Sequence, residues 1–564
     1  MNNRWTFKKP KYEETAQYLK NKIKIPESLA MVLANRGIEN ETQAKKFFNP
    51  SLKDLHDPFI MLNMQKAVDR ILLAREEGQS IWVHGDYDVD GTSSTALAVL
   101  FLREIGLKVH YFIPDRFIDG FGLSNKSVDL AKEKNCSIMI SVDVGMTAIE
   151  PLRYAKEQGL DTIVCDHHQP ADEMPDTFAL LNPVQEDCPY PFKSLAACGV
   201  VFKLIQAINK QLNREEESYK YLDFVALASA ADMVSLVDEN RAMVKYGIDL
   251  INNNPRPGFK GLIHCTRLDF GSITASNSVF AIAPIINAAG RMGAAMRSVE
   301  MMISKEEVSA FQIAQQLEDE NRKRRIFDLQ TFEDAIPLAE EQLAMGKKAL
   351  VLHKADWHLG VIGIVASRLV DKFHVPTFLM TSIDGMAKGS ARSANHFDVY
   401  NALKAASPLL VEYGGHKHAA GLTIADSDLE EFKEIIDKIA NGEISNEMLV
   451  PEIQIDAKLD LSDLSPKFLK RLSQFSPYGF DNYKPVFYTE GVKSSNGIKI
   501  VGHNNLKFRA LHNNFVIDAI GYGLADKYKI CASGKPFSIV YHIEINSQYS
   551  SNLPQLYIKD IREE

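Results

Sequence analysis

Residues 81–106, IWVHGDYDVDGTSSTALAVLFLREIG, decide the fold. A short apolar run, IWVH, stops at Gly85, and an acidic turn, DYDVD (86–90), follows. TSSTALAVLFLREIG (92–106) then reads as a helix with a capping-type start and a terminal glycine. The alternation continues with a strand at KVHYFIP (108–114), a helix at SVDLAKEKN (127–135) and a strand at CSIMISVD (136–143). TAIEPLRYAKEQG (147–159) reads as a helix with Pro151 in its first turn, and DTIVCD (161–166) as the next strand. Strands alternating with helices through short loops predict a parallel sheet with helices on both faces. Ligands of such sheets bind at the carboxyl ends of the strands.

Working outward, residues 27–75 read as short helices broken by Pro50 and Pro58. Residues 305–345 hold no glycine and one proline, Pro337, while Val308, Phe311, Ala314 and Leu317 recur at helical spacing. This predicts a long connecting helix, kinked at Pro337. A second α/β segment follows in KALVLH (348–353), GVIGIVASRLVDKF (360–373) and VPTFLMT (375–381). The last hundred residues alternate in strand fashion and predict a small antiparallel barrel. The expected organisation is a helical segment (1–75), a parallel-sheet α/β domain (76–270), a linking segment with the long helix (271–345), a second α/β domain (346–448) and a C-terminal β-barrel (449–564).

Composition narrows the function. Apolar residues at 45 % and charged residues at 24 % are ordinary for globular chains and exclude collagen-like or low-complexity classes. No window approaches 18 uninterrupted apolar residues, and MNNRWTFKKPKYEET lacks an apolar signal core, so neither membrane nor export is expected. Six scattered cysteines (136, 165, 188, 198, 265, 531) without a CxxC pair suit reduced thiols in the cytoplasm. A net charge of −9 rules out general polyanion binding through bulk charge, so nucleic-acid contact requires local basic surfaces or bound cations.

Four clusters carry chemistry: His84, Asp86, Asp88 and Asp90 in HGDYDVDG; Asp143 in SVDVG; Asp166, His167 and His168 in CDHH; and Asp232 in ALASAADMVSL, on an expected helix. Carboxylates at alternate positions point the same way on extended backbone. Three of them within five residues repel unless a cation sits among them, and a divalent metal is the usual answer. Carboxylates mixed with imidazole suit Mn²⁺ or Mg²⁺ better than a thiolate-loving ion. The supply is sufficient for two ions sharing a bridging carboxylate. Taken singly, each cluster has a plainer reading, as a solvated turn or a helix cap. All four at successive element ends of one segment point to metal.

These four motifs resemble those of the DHH phosphoesterase family. PDRFIDGFGLS (114–124), NAAGRMG (287–293), WHLGVIGIVASRL (357–369), KGSARS (388–393) and GGHKHAAGLT (414–423) resemble signature stretches of its single-strand-specific 5′-to-3′ exonucleases. FSPYGFDNYKPVF (475–487) and the strand-rich tail resemble the OB-like region of those enzymes. The chain departs from the pattern at Ala391, where glycine is usual, at Leu359, where proline is usual, and at Ile285 or Ile286, where an arginine would contact phosphate.

The resemblance implies two divalent ions, Mn²⁺ in first place and Mg²⁺ as the alternative. His84, Asp88 and Asp143 would hold one; Asp90, Asp143, His167 and Asp232 the other, with Asp143 bridging. Asp86 would orient a ligand imidazole, and Asp166 and His168 would serve catalysis, His168 against the phosphate. Gly389, Ser390 and Arg392 would form one phosphate-approaching loop, Gly414, Gly415 and His416 another, and Arg291 a further contact. Arg322-Lys323-Arg324-Arg325 is either a solvated helix face or a DNA contact. Residues 491–535 hold seven Lys/Arg against two Asp, interleaved with Phe508, Phe515, Tyr522 and Tyr528; a basic groove with aromatics grips single strands, although aromatics in strands are mostly core.

The implied function is hydrolysis of single-stranded DNA from the 5′ end to nucleoside 5′-monophosphates in repair and recombination. A helicase and a single-strand-binding protein are the implied partners. Two rival readings are a DHH phosphodiesterase for short oligoribonucleotides or cyclic dinucleotides, and a non-catalytic scaffold. The tail argues against the first and the full set of acidic motifs against the second.

Overall fold

The computed structural model describes residues 3–11, 13–116, 118–120, 122–171, 173–394, 397–545 and 553–564. Residues 117 and 121 of the PDRFIDGFGLS stretch thus lie outside it. Strand β1 (Arg4–Phe7) precedes helices Glu14–Ile23, Glu27–Asn35, Glu41–Phe48 and Met64–Glu76. The first sheet contains β2 (Ser80–Gly85), β3 (Lys108–Phe112), β4 (Cys136–Val142), β5 (Asp161–Cys165) and β6 (Ala179–Leu181), in the order β3-β2-β4-β5-β6. Every pairing in it is parallel.

Alternate residues of its central strands enter different cores. Ile81, Val83, Ile138 and Ile140 pack with the helix Val89–Glu104, while Trp82 and Met139 pack with Val128 and Leu152 of the helices on the other face. Burial on both faces is why these strands read as continuous apolar runs. The helix Val89–Glu104 starts earlier than its sequence suggests. The Asp88 carboxylate accepts the Gly91 N–H at 3.0 Å and caps it, so Asp90 lies in the first turn.

The helix Glu307–Ala344, 38 residues long, continues through Pro337 and leads into the second sheet. That sheet holds β7 (Leu350–His353), β8 (Thr377–Ile383), β9 (Met386–Arg392), β10 (Leu410–His416) and β11 (Ala419–Ala425), ordered β10-β11-β9-β8-β7. Gly389, Ser390 and Arg392 therefore lie in a strand, and Gly414, Gly415 and His416 end the edge strand; neither group is the expected loop. Glycine misled here because its role is packing. A Cβ on Gly389 would come within 2.7 Å of Leu422 and Met380, and one on Gly415 within 2.5 Å of the Ala419 carbonyl.

Strand β12 (Glu452–Ile455) pairs in parallel with β1. A barrel of β13 (Ala457–Lys458), β14 (Phe487–Val501), β15 (Asn505–His512), β16 (Phe515–Gly521), β17 (Phe537–Ile545) and β18 (Pro554–Glu563) completes the chain, closed by pairing of β14 with β17. It is not wholly antiparallel: β16 pairs with β18, and β13 with β14, in parallel. Its core is shared with the opposite end of the chain. Leu29, Leu33, Phe47 and Phe48 of the N-terminal helices pack with Phe468, Phe475, Phe487 and Phe508. Arg241 of the first domain fastens this module. Its buried guanidinium donates to the carbonyls of Phe47, Gln474, Phe475 and Ser476 at 2.8–3.0 Å and lies over the Phe47 ring. Among the described residues no helix is long and apolar enough to cross a membrane.

Candidate active site

Each acidic motif follows the carboxyl end of a first-sheet strand or, for Asp232, a helix. Asp86 and Asp88 follow β2, Asp143 follows β4, Asp166 to His168 follow β5, and Asp232 caps the helix Leu222–Ala231. The extended-backbone argument does not hold for the first motif: Asp88 is a helix cap and Asp90 is helical. A sharp strand-to-helix turn brings these carboxylates together instead. That turn needs Gly91, because a Cβ there would stand 2.5 Å from the Asp86 carbonyl. Gly290 lets the helix Ala283–Arg291 rest on the same turn, where a Cβ would meet the Tyr87 carbonyl at 2.5 Å. From this helix the Asn287 side chain accepts the Val89 N–H at 3.0 Å.

Three overlapping groups of donors converge. Asp86, Asp88 and Asp143 offer oxygens within 4.8 Å of one another, and so do the ligand atoms of Asp90, His167 and Asp232 and those of Asp143, His167 and His168. His167 Nε2 joins the groups, 3.3 Å from Asp143, 3.6 Å from Asp232 and 3.8 Å from Asp90. Asp86, expected to orient a ligand imidazole, offers an oxygen close enough to Asp88 and Asp143 to share an ion with them. His84 falls in none of these groups among the described residues. It is fully buried, its Nδ1 lies 2.7 Å from Ser127 Oγ, and Nε2 is buried without a hydrogen-bond partner. Ser127 Oγ accepts the Trp82 indole N–H at 3.0 Å and stands against His84 Nδ1, so it fixes the position of the ring.

The electrostatics call for cations. Burial and the neighbouring Asp88 push Asp86 up to about 8, and the same causes push Asp90 up to about 7. Burial with Asp90 and Asp88 pushes Asp232 up to about 8, and Asp143 is raised well above its ordinary value. Burial and His168 lower His167 to about 4, so its ring is neutral at neutral pH and free to act as a ligand. Asp86 Oδ1 is buried without a partner, like His84 Nε2. Unpartnered oxygen and imidazole donors beside crowded carboxylates fit Mn²⁺ or Mg²⁺.

Asp166 has a different task. Burial raises its pKa, but hydrogen bonds and the charge of His168 outweigh this and hold it at about 2. Its carboxylate accepts N–H groups of Met146, His167 and His168, and His168 Nδ1 lies 2.7 Å away. Burial lowers His168, yet Asp166 holds it at about 9, leaving a protonated imidazole beside the acidic groups.

Opposite stands a cationic wall. Arg291 donates to the Gly360 carbonyl at 3.2 Å; burial, then Arg116, Arg324 and Arg392, lower it to about 10. Arg392 on β9 donates to Ser390 Oγ at 2.7 Å and is lowered by burial and by Arg116. Arg116 also acts on Asp86. None of these three arginines forms an ion pair among the described residues. The sequence reading missed Arg116, although PDRFIDGFGLS carries it just past β3, where the acidic motifs also stand relative to their strands. Strand register aligns Arg392 with Ala419 and Ala419 with His416, placing exposed His416 two strands from Arg392. Ser390, Gly421 and Gly414 align likewise, with open space above Gly414. Ile285 and Ile286 are buried in the core, so the missing arginine has no counterpart there. Arg322 and Arg325 pair with Glu318 and Arg324 with Asp328; Arg322 and Arg325 are about half exposed, whereas Arg324, Asp328 and Glu318 are largely buried.

A parallel sheet with these acidic motifs at its carboxyl ends, accompanied by arginines from the segment past β3, the helix Ala283–Arg291 and β9, defines a DHH phosphoesterase. Residues 80–229 match the N-terminal domain of the DHH family, 346–442 the DHHA1 domain and 455–560 the RecJ OB domain. The chain belongs to the RecJ family. It is 33 % identical to the single-stranded-DNA-specific exonuclease RecJ of Bacillus subtilis, over 99 % of this chain and 70 % of that protein. It is 30 % identical to RecJ of Salmonella typhimurium, over 95 % of this chain and 96 % of that protein. The crystal structure of Thermus thermophilus RecJ in complex with Mn²⁺ superposes with a TM-score of 0.85 at 26 % identity, covering 100 % of this chain and 80 % of that one.

Proposed function

We propose that this chain is a metal-dependent exonuclease that hydrolyses single-stranded DNA from the 5′ end to nucleoside 5′-monophosphates. The observation that carries the reading is the convergence of Asp86, Asp88, Asp90, Asp143, His167 and Asp232 near Arg116, Arg291 and Arg392, which form no ion pair among the described residues. Two divalent ions, Mn²⁺ or Mg²⁺, would be held by Asp86, Asp88, Asp143 and His84 on one side and by Asp90, Asp143, His167 and Asp232 on the other. When bound, such ions supply a nucleophile from water at neutral pH and neutralise charge on the phosphate.

The chain's own residues do the rest. Asp166 keeps His168 protonated, and the free Nε2–H donates to an oxygen of the scissile phosphate as its charge grows. Ser127 fixes the ring of His84. Arg116, Arg291 and Arg392, with the Ser390 hydroxyl, hold the terminal 5′-phosphate one nucleotide from the cut. A dianionic terminal phosphate gives guanidinium forks more charge to pair than an internal diester does. The 3′-oxygen of the first nucleotide leaves, and the shortened strand carries a new 5′-phosphate for the same arginines. The division into residues 76–270 for catalysis, 346–448 for substrate and 449–564 for single-strand binding belongs to this reading. So do a cytoplasmic place in repair, a helicase that supplies single strands and a single-strand-binding protein.

The test is cleavage by purified protein with Mn²⁺ of a long single strand, a duplex and a dinucleotide. Rapid loss of the long single strand alone is expected. A preference for the dinucleotide would favour a small-substrate phosphodiesterase.

A further inference from the structure

The donor group of Asp90, His167 and Asp232 leans on the far end of the chain. Asp90 is oriented by the helix Ala197–Gln211. Its carboxylate oxygens accept the N–H groups of Ala197 and Cys198 at 2.7 and 2.8 Å, the first two of that helix, which have no partner within it. Just before the helix, the backbone of Leu195 stands against the His167 ring. One residue earlier, Ser194 reaches the loop that follows Asp232. Its hydroxyl oxygen accepts the Ser235 N–H at 3.1 Å. The Asn240 side chain ties the two segments again, donating to the carbonyls of Ser194 at 2.6 Å and of Ser235 at 3.0 Å. Residues 194–198 thus form a strap against Asp90 and His167, tied through Ser235 to the loop that carries Asp232.

The same loop is fastened from outside the first domain. The Ser235 hydroxyl donates to the Asp481 carboxylate at 2.7 Å, and the Leu236 N–H to the Phe480 carbonyl at 3.0 Å. Gly479 lets the segments close up, since a Cβ there would stand 2.4 Å from Leu236. The buried Asn482 side chain donates to the carbonyls of Phe475 and Pro477 and holds the fastening segment in shape. That segment leads into β14 of the barrel. Only Met233 and Val234 separate Asp232 from Ser235, so a loop freed at Ser235 and Leu236 frees the Asp232 carboxylate with it. Asp86, Asp88 and Asp143 are held differently. Asp88 caps its own helix, Asn287 accepts the Val89 N–H, and the Asp143 N–H donates to the Cys165 carbonyl at 3.0 Å.

We propose that Ser194, Ser235 and Asp481 are positioning residues for one of the two ions: a latch from the C-terminal module keeps Asp232 beside Asp90 and His167, and releasing it loosens that ion alone. The inference rests on the two-ion reading of the site and adds what secures the second ion. The full-length protein, without DNA, is titrated with Mn²⁺ by calorimetry, and bound manganese is followed by electron paramagnetic resonance. The wild type should take up two ions and show the coupled signal of neighbouring manganese. Asp481 has φ +57°, a left-handed conformation that glycine adopts freely, so Asp481→Gly removes the carboxylate without straining the backbone. It should weaken one ion about tenfold, leave the other unchanged and yield the signal of an isolated ion at intermediate Mn²⁺. Asp481→Asn keeps an oxygen for the Ser235 hydroxyl and should restore the wild-type titration. Ser194→Ala, which removes the acceptor of the Ser235 N–H from the opposite side, should weaken the same ion, and it carries the test alone if Asp481→Gly does not fold. A merely structural role would instead weaken both ions together and lower the melting temperature in EDTA. That outcome, or wild-type affinity for both ions in Ser194→Ala, would overturn the latch while leaving two ions in place. A wild type that binds a single ion would overturn the two-ion reading and the latch with it.

Discussion

Two sets of side chains of opposite charge stand close together: the carboxylates at the carboxyl end of the first sheet, and the guanidiniums of Arg116 past β3, Arg291 on the helix Ala283–Arg291 and Arg392 on β9. The first gathers buried carboxylates that raise one another's affinity for protons. The second is a set of guanidiniums whose hold on their protons is lowered by burial first and then by one another. Neither set is neutralised from within. On the proposed reading a cation completes the first and a terminal phosphate the second.

Removing the shared carboxylate should break the comparison most severely. Asp143→Ala should cut single-turnover cleavage under saturating Mn²⁺ by at least about 10³-fold, since each decade is about 1.4 kcal/mol of barrier and the ions act together. Retention of a tenth of the activity would end the two-ion assignment. On the opposite wall, Arg392→Ala should reduce the preference for a 5′-phosphate over a 5′-hydroxyl by about ten- to a hundredfold. Manganese affinity, measured by calorimetry, should stay unchanged; an equal loss on both ends would make Arg392 a general phosphate contact.

Two smaller effects sharpen the contrast. Ser127→Ala should weaken manganese binding about tenfold by releasing the His84 ring; unaltered affinity would remove His84 from the ligand set. The metal-free protein should lose stability as pH rises from about 6.5 to 8. Asp86, Asp90 and Asp232, at about 8, 7 and 8 when folded, and His168, at about 9, bind more protons there in the folded state than in the unfolded one. Below that window His84 and His167, both lowered to about 4, act in the opposite direction. Melting in EDTA should fall by a few degrees over the window and flatten once Mn²⁺ is added. A rising melting temperature would contradict the crowding of carboxylates.

The two walls also differed in how well they could be read. Asp86 to Asp90, Asp143 and Asp166 to His168 stand immediately past apolar strand runs, so position along the chain already gave position in space. Arg116, Arg291 and Arg392 come from segments more than a hundred residues apart, and no spacing links them. The strand at Gly389–Arg392 looked like a loop because glycine serves turns and tight packing alike, and only Leu422 and Met380 above it reveal which. The pairing of β1 with β12, and the core shared by Phe47, Phe48 and Phe475, join residues over 400 positions apart and leave no local mark. For that reason deleting residues 450–564 would expose the N-terminal helices and would not isolate the barrel's share in binding. Point substitutions on its outer face are the cleaner probe.

The central claim is that the acidic cluster cuts a single strand whose 5′ end is held by the arginines. A single strand labelled at one end, incubated with the purified protein and Mn²⁺, tests it most directly. With a 5′ label the account predicts labelled mononucleotide as the first product. With a 3′ label it predicts progressively shorter strands, and it predicts no cutting with Asp143→Ala or in EDTA. Shortening from the 3′ end, or cleavage that persists in Asp143→Ala, would contradict it.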